Sequence, residues 1–192
     1  MVWSPPIASY AAVYETEQSP GYNWLHESFG TNLRMTEMQG VLGRIQLNKM
    51  SEWTTKRTAN AQAILDACSK WESKGYLLVP RLEHLAQFSN ANHAYYKLYV
   101  YVQSDNLPDG WTRDRIIEAI NNQDVPCFSG SASEVYLEKA FDNTGLRPSI
   151  RLPMAKKLGE SSLMFLVHPT LTAAEIELTM RAIDSVFGSM VE

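Results

Sequence analysis

The sequence predicts an α+β fold: a small, antiparallel-rich sheet with helices on one face, joined to a long leading helix. Three observations carry that expectation. Met38, Val41, Leu42, Ile45 and Met50 recur at helical spacing, and the pattern runs on to about residue 72. Tyr95 to Val102 is aromatic or β-branched at almost every position, the composition of a strand. Beyond it, short apolar runs alternate with stretches that open on helix-capping residues, so strands and helices share one layer each.

Taken in order, residues 1–35 read as an irregular arm ending in a polar loop. Pro5, Pro6, Pro20 and Gly21 punctuate it, and Trp3, Tyr10, Tyr14, Tyr22, Trp24 and Phe29 make it aromatic enough to dock on a surface. Residues 36–72 form the long helix, or two helices broken near Met50–Ser51. Thr36 followed three residues later by Gln39 fits a capping box, in which hydroxyl and amide satisfy otherwise unpaired N–H groups. Gly40 and Gly43 each lower helix propensity by about 1 kcal/mol relative to Ala, so the helix is expected to carry them for the close approach of another backbone. Gly75 closes the helix.

Residues 73–192 supply the small domain. Tyr76–Pro80 is a short strand, and a Ser- and Asn-rich loop leads to Tyr95–Val102. Thr112 caps a helix to about Asn121 with Ile116, Ile117 and Ile120 inward. Val125–Phe128 is a strand, Glu134–Phe141 a short helix, Ile150–Leu158 an irregular helical piece and Ser162–Val167 a strand. A second capping box, Thr172 to Glu175, opens the final helix to about Phe187.

Composition narrows the function. The 192 residues are 45% hydrophobic and 20% charged, with a net charge of −4. No basic face is implied, which argues against nucleic acid or an anionic membrane as partner. Two cysteines, Cys68 and Cys127, give neither a disulfide framework nor a metal cluster, so no metal is expected and a reducing cytoplasm is the simplest compartment. No apolar run approaches the ~20 residues needed to span a bilayer, and no secretory signal is apparent.

The densest motif is Gly30-Thr31-Asn32-Leu33-Arg34-Met35-Thr36-Glu37-Met38-Gln39, continuing through Gly43 to Gln46-Leu47. It resembles the loop-to-helix motif of the DegT/StrS-type sugar aminotransferases, pyridoxal-phosphate (PLP) enzymes of fold type I that aminate nucleotide-linked keto sugars. The resemblance continues through Leu25-His26-Glu27-Ser28-Phe29, Glu52-Trp53, Arg57-x-x-Asn60-Ala61, His93-Ala94-Tyr95-Tyr96-Lys97, Pro126 to Ser131 and Leu163 to Thr170. It covers about residues 10–190 and implies the small C-terminal domain of such an enzyme, of the kind used in cell-surface polysaccharide or lipopolysaccharide synthesis.

By that resemblance, Asn32 reaches across a dimer to the phosphate of PLP and Arg34 supports the loop; both groups are natural phosphate donors. The plainer reading keeps Asn32 in a turn and pairs Arg34 with a carboxylate such as Glu37. His93 and Tyr96 sit where the family brings side chains toward the sugar-nucleotide, although a His opening an aromatic strand also serves as a structural residue. A His-Tyr-Pro-x-x-x-His-type segment of the family is replaced here by Cys127 to Glu134, so Ser129 and Ser131 are the candidate substrate contacts, through an anion-binding turn at the helix near Glu134 or as a plain helix cap. His26 and His84 carry no catalytic spacing, His168 is expected to turn the chain, and Glu134 and Glu138 are expected to be solvated beside Lys139.

The resemblance also implies a deficit. The family's Schiff-base lysine belongs to a large α/β domain preceding the matched region, and this chain opens just before that region. A Schiff-base lysine must be desolvated or beside another cation to be nucleophilic. Of the eight lysines, only Lys97, in a strand pattern, is expected to be partly buried. No catalytic residue is therefore expected, and no PLP held by this chain alone. Two readings follow: part of a PLP-dependent aminotransferase, homodimeric through the 36–50 helix and inactive by itself, or an autonomous assembly module using the same interface.

Overall fold

In the computed structural model, residues 35–81 and 92–191 are described. Four α-helices and four strands lie among them. The long helix α1 (Glu37–Ser73) runs unbroken through Met50–Ser51. Thr36 and Gln39 form the expected capping box. Its other end stops at Lys74, and Gly75 takes a φ of +83°, the left-handed conformation that only Gly adopts without cost.

The strands β1 (Leu77–Leu78), β2 (Leu98–Val102), β3 (Cys127–Phe128) and β4 (Ser162–Phe165) form one antiparallel sheet in the order β1-β2-β4-β3. Helix α2 (Arg113–Asn121) precedes β3, α3 (Pro153–Ser161) precedes β4, and α4 (Ala173–Gly188) follows it. Thr112 and Thr172 cap α2 and α4 as their residue types dictate. The fold is α+β, a small antiparallel sheet backed by helices.

Alternation along β2 decides which face is buried. Leu98, Val100 and Val102 point into the core, and Tyr99 and Tyr101 to the other side. The core side meets Ile64, Cys68 and Trp71 of α1, Ile116 and Ile120 of α2, and Ile183, Val186 and Phe187 of α4. Trp71 is the hinge of this packing. Its ring stacks on Phe187 at 5.7 Å and its indole N–H donates to Asp184 at 2.8 Å.

Three expected elements differ. β2 begins at Leu98 instead of Tyr95, because Tyr95 has a φ of +42° and its N–H donates to His93 Nδ1 at 2.9 Å, closing a bend. The helix expected over Glu134–Phe141 is two 3-10 turns, Val135–Leu137 and Lys139–Phe141. Arg147 reaches back to accept this geometry, donating to the carbonyls of Tyr136, Leu137 and Glu138 that a helix would have used itself. The piece expected over Ile150–Leu158 is a regular helix displaced to Pro153–Ser161, with Pro153 in its first turn.

The first half of α1 stands apart. No residue of the helix before Ala61 is buried, while Met38, Val41, Leu42, Ile45 and Leu47 are exposed. Within this chain a Cβ at Gly43 would meet nothing within 4 Å, so no segment among the described residues makes the close approach expected there. At ~100° per residue Gly43 also lies about 140° around the helix from Met38, outside the apolar stripe.

Candidate functional site

Asn32 and Arg34 fall outside the described residues, as do His26 and His84. The described chain starts at Met35, and the capping box at Thr36 opens α1, with the Thr36 N–H bonded to Gln39 Oε1 at 2.9 Å.

His93 and Tyr96 flank the bend that leads into β2. The His93 ring lies 4.3 Å from that of Tyr95 and accepts its backbone N–H, so His93 closes the turn. Tyr96 is 75% exposed, with the Lys97 ammonium 5.8 Å from its ring. Both side chains are open to a ligand, and neither has a proton-relay partner among the described residues.

Ser129 and Ser131 belong to another part of the sheet. Phe128 pairs with Met164, which pairs with Tyr99, so the chain after Phe128 runs toward the level of Leu163 and Val100. His93 and Tyr96 precede Leu98, at the opposite end of β2. Among the described residues no hydrogen bond joins His93 or Tyr96 to Ser129 or Ser131. Ser131 shares a hydrogen bond of 2.9 Å with the Tyr99 hydroxyl, and the Gly130 N–H donates to Ser162 Oγ at 2.9 Å. Gly130 is required there, since a Cβ would sit 2.6 Å from Ser162 Oγ. The turn is no helix cap: the next helical turn is capped at Glu134, ahead of the three-residue 3-10 turn Val135–Leu137, with no side-chain cap bond. The Gly130 N–H is taken by Ser162 Oγ, and no α-helix begins at this turn to offer its N-terminus to an anion.

Glu134 and Glu138 correct the expectation of solvated carboxylates. They are 4% and 1% exposed. Glu134 accepts both Nε and Nη2 of Arg151 and the Tyr136 hydroxyl, the latter at 2.6 Å, and Tyr136 in turn accepts the Leu152 N–H at 2.9 Å. The hydrogen-bonded guanidinium of Arg151, aided by the Tyr136 hydroxyl, holds the Glu134 carboxyl down at about 2. A carboxylate locked in that state accepts no proton near neutrality, so this network fastens the loop before α3 to the segment after β3. Its partners lie 16 and 17 residues away in sequence, which is why spacing alone hid it.

Two links were equally invisible to periodicity. Arg113 donates to the carbonyls of Gly159 and Ser162 at 3.0 and 3.2 Å, tying α2 to the α3–β4 junction. The Asn60 amide donates to the His168 carbonyl at 3.2 Å, joining two of the motifs singled out above. His168 Nδ1 lies 2.8 Å from Thr170 Oγ1, consistent with its turning the chain toward α4. Arg57 Nε is buried without a partner among the described residues.

A covalent PLP site needs a desolvated lysine, and all eight lysines lie among the described residues. Lys56 pairs with Glu52 at 2.8 Å, Lys70 with Asp184 at 3.5 Å and Lys156 with Glu160 at 3.8 Å. Lys49 and Lys74 lie over Trp53 and Trp71, and Lys139 and Lys157 are exposed. Lys97 is half-buried as expected, but so is Lys156. None is enclosed, so these residues do not fit a Schiff-base anchor. The thiols offer no alternative nucleophile: burial pushes both Cys68 and Cys127 up to about 12. No group of three or more metal-ligating side chains and no helix long and apolar enough to cross a membrane occurs among the described residues.

Against known proteins, residues 6–184 match the DegT/DnrJ/EryC1/StrS aminotransferase family. A solved aminotransferase from Psychrobacter cryohalolentis is 74% identical, with a TM-score of 0.80 over 95% of this chain and 46% of its own. NtdA from Bacillus subtilis, solved with bound cofactor PMP, has 18% identity and a TM-score of 0.66 over 84% of this chain and 34% of its own. Helicobacter pylori PseC, an aminotransferase involved in the biosynthesis of pseudoaminic acid, has 17% identity and a TM-score of 0.62 over 84% of this chain and 40% of its own. The last two likenesses speak for the fold alone. A search of curated proteins found no match. The chain thus spans less than half the length of the solved structures it resembles, and by its match over residues 6–184 it belongs to the DegT/DnrJ/EryC1/StrS aminotransferase family.

Proposed function

We propose that this chain is the C-terminal part of a PLP-dependent aminotransferase acting on nucleotide-linked keto sugars in the cytoplasm, and that it does not turn over by itself. The observation that carries the reading is the combination of family membership across residues 6–184 with eight lysines that are all solvated, ion-paired or half-exposed. The cofactor's anchoring amine then comes from a part of the enzyme outside these 192 residues. The division into an arm and phosphate-contact loop (1–35), an interface helix (36–72) and a small domain (73–192) belongs to the same proposal.

Asn32 and Arg34 supply phosphate contacts in this reading, delivered by the loop that the Thr36 capping box orients. Tyr96 and His93 face the sugar-nucleotide from the bend before β2, where both are exposed. Ser129 and Ser131 support the sheet beside it, Ser131 through Tyr99. The chain self-associates through the 36–50 helix, whose apolar residues are uncovered in the monomer. An exposed stripe of that kind marks an interaction site.

The coding sequence upstream of Met1 tests the proposal. An in-frame α/β domain carrying a lysine in a Ser/Thr- and Gly-rich segment is expected, and the longer product should transaminate a keto sugar nucleotide with PLP while residues 1–192 do not. Transamination by residues 1–192 alone would overturn it.

A further inference from the structure

We propose that Asp109 is a site of spontaneous covalent modification: its side chain cyclises onto the Gly110 nitrogen to a succinimide, which water reopens as isoaspartate. This is independent of the aminotransferase reading. Asp109–Gly110 is the only Asp-Gly pair in the sequence, which holds no Asn-Gly pair. Both residues are exposed, in the turn that leads from β2 into α2. Across that turn the Trp111 N–H donates to the Pro108 carbonyl at 3.1 Å, and Gly110 takes a φ of +80°, which glycine adopts without strain. The far side of the turn is fixed. Arg115 Nη1 donates to the Gly110 carbonyl at 2.8 Å, and its guanidinium lies 4.4 Å from the centre of the Trp111 ring.

Within this frame both reacting groups are free. Among the described residues the Asp109 carboxyl has no hydrogen-bond or ion-pair partner, and the Gly110 N–H donates to no acceptor. Glycine puts no side chain in the path of attack, and the nucleophile is already tethered to its target. The Gly110 nitrogen bonds to Asp109 Cγ and gives up its proton, and a Cγ–O bond breaks as water leaves. Water then opens the ring. Opening at Cγ restores aspartate; opening at the α-carbonyl leaves the chain running through Cβ and Cγ, with a free α-carboxylate. Nothing is oxidised or reduced, and the mass returns to its starting value.

The other aspartates lack one of these conditions. Asp66 and Asp184 precede N–H groups bonded within α1 and α4. Asp114 precedes Arg115, whose N–H donates to Thr112 Oγ1 at 3.2 Å, and Asp105 precedes Asn106, whose N–H donates to the Gln103 carbonyl at 3.0 Å. Asp124 precedes β-branched Val125, and Asp142 pairs with Arg147 at 2.6 Å. The extra backbone atom of isoaspartate displaces the Gly110 carbonyl from Arg115, so the modification reaches the first turn of α2.

Ageing the native 192-residue chain in heavy-oxygen water at neutral pH, then mapping its peptides by electron-transfer fragmentation, tests the proposal. Heavy oxygen and an isoaspartyl linkage are expected at Asp109 and at no other aspartate. The aged chain should also accept methyl groups from an isoaspartate-specific carboxyl methyltransferase. Both signals should be lost in Asp109→Glu, whose imide ring would be larger and slower to close. Asp109→Asn should form isoaspartate faster, because ammonia leaves in place of water. Both variants change an exposed side chain, so the far-UV circular dichroism should stay that of the parent. If the urea-unfolded chain formed isoaspartate at Asp109 and the native chain did not, the turn would protect the site and the proposal would be overturned. Isoaspartate appearing first at another aspartate, or methyl acceptance that survives Asp109→Glu, would overturn it as well.

Discussion

Replacing Trp71 by Phe tests how α1 is fastened to the small domain. The side chain is 1% exposed, stacked on Phe187 and bonded to Asp184 through its indole nitrogen. Phe keeps part of the stacking but loses the second ring and the only donor. Full truncation of a buried Trp costs about 3–5 kcal/mol, and partial loss of its volume roughly a third of that. A hydrogen bond to a charged acceptor adds about 1.5–3 kcal/mol, taken at its lower end because Asp184 is 48% exposed and regains water. The sum is roughly 2–4 kcal/mol, or about 5–12 °C in Tm for a chain of this size. Urea unfolding followed by far-UV circular dichroism reads it without relying on Trp fluorescence. The control is Asp184→Asn, which keeps an acceptor oxygen for Trp71 but loses its charge and the exposed Lys70 pair, together worth about 1–2 kcal/mol. If Trp71→Phe cost no more than Asp184→Asn, the packing between α1 and α4 would not depend on this contact and the reasoning would fail.

Three further outcomes follow from the same geometry. The folded Glu134 carboxyl sits at about 2 against an ordinary 4.5, so its contribution is complete above about pH 4.5 and is lost as pH falls toward 2. Acid titration of stability should show this loss, and Glu134→Gln should flatten the curve in that window. Cys68 and Cys127 should resist a thiol reagent in the native protein and react at least ~100-fold faster in urea; native labelling at the unfolded rate would contradict their burial. Gly130→Ala drives a Cβ against Ser162, whose side chain is fixed on β4, and should destabilise by about 1–3 kcal/mol in thermal melts, whereas Gly43→Ala, in open space, should not.

What was legible in the sequence is what local chemistry decides. Thr36 with Gln39, Thr112, and Thr172 with Glu175 each announce a helix start through a side chain that bonds three residues on, and all three starts lie where those residues put them. The inward isoleucines of α2 follow from periodicity alone. The expectations that failed depend on partners far along the chain. Glu134 looks solvated until Arg151 and Tyr136 enclose it, and Glu134–Phe141 looks helical until Arg147 takes the carbonyls. Tyr95 has a strand former's side chain but a backbone bent by its bond to His93. For the site, the motif around Asn32 pointed to the family directly, while the bond between Ser131 and Tyr99 joins residues 32 apart in sequence, which spacing does not encode.

The proposed function depends most on the eight lysines, none of which is enclosed as a Schiff-base anchor would be. Incubating the purified chain with PLP, reducing with borohydride and mapping peptides by mass spectrometry addresses it directly. Scattered, substoichiometric pyridoxylation among the exposed lysines is the expected result; one lysine modified stoichiometrically at low PLP would contradict it.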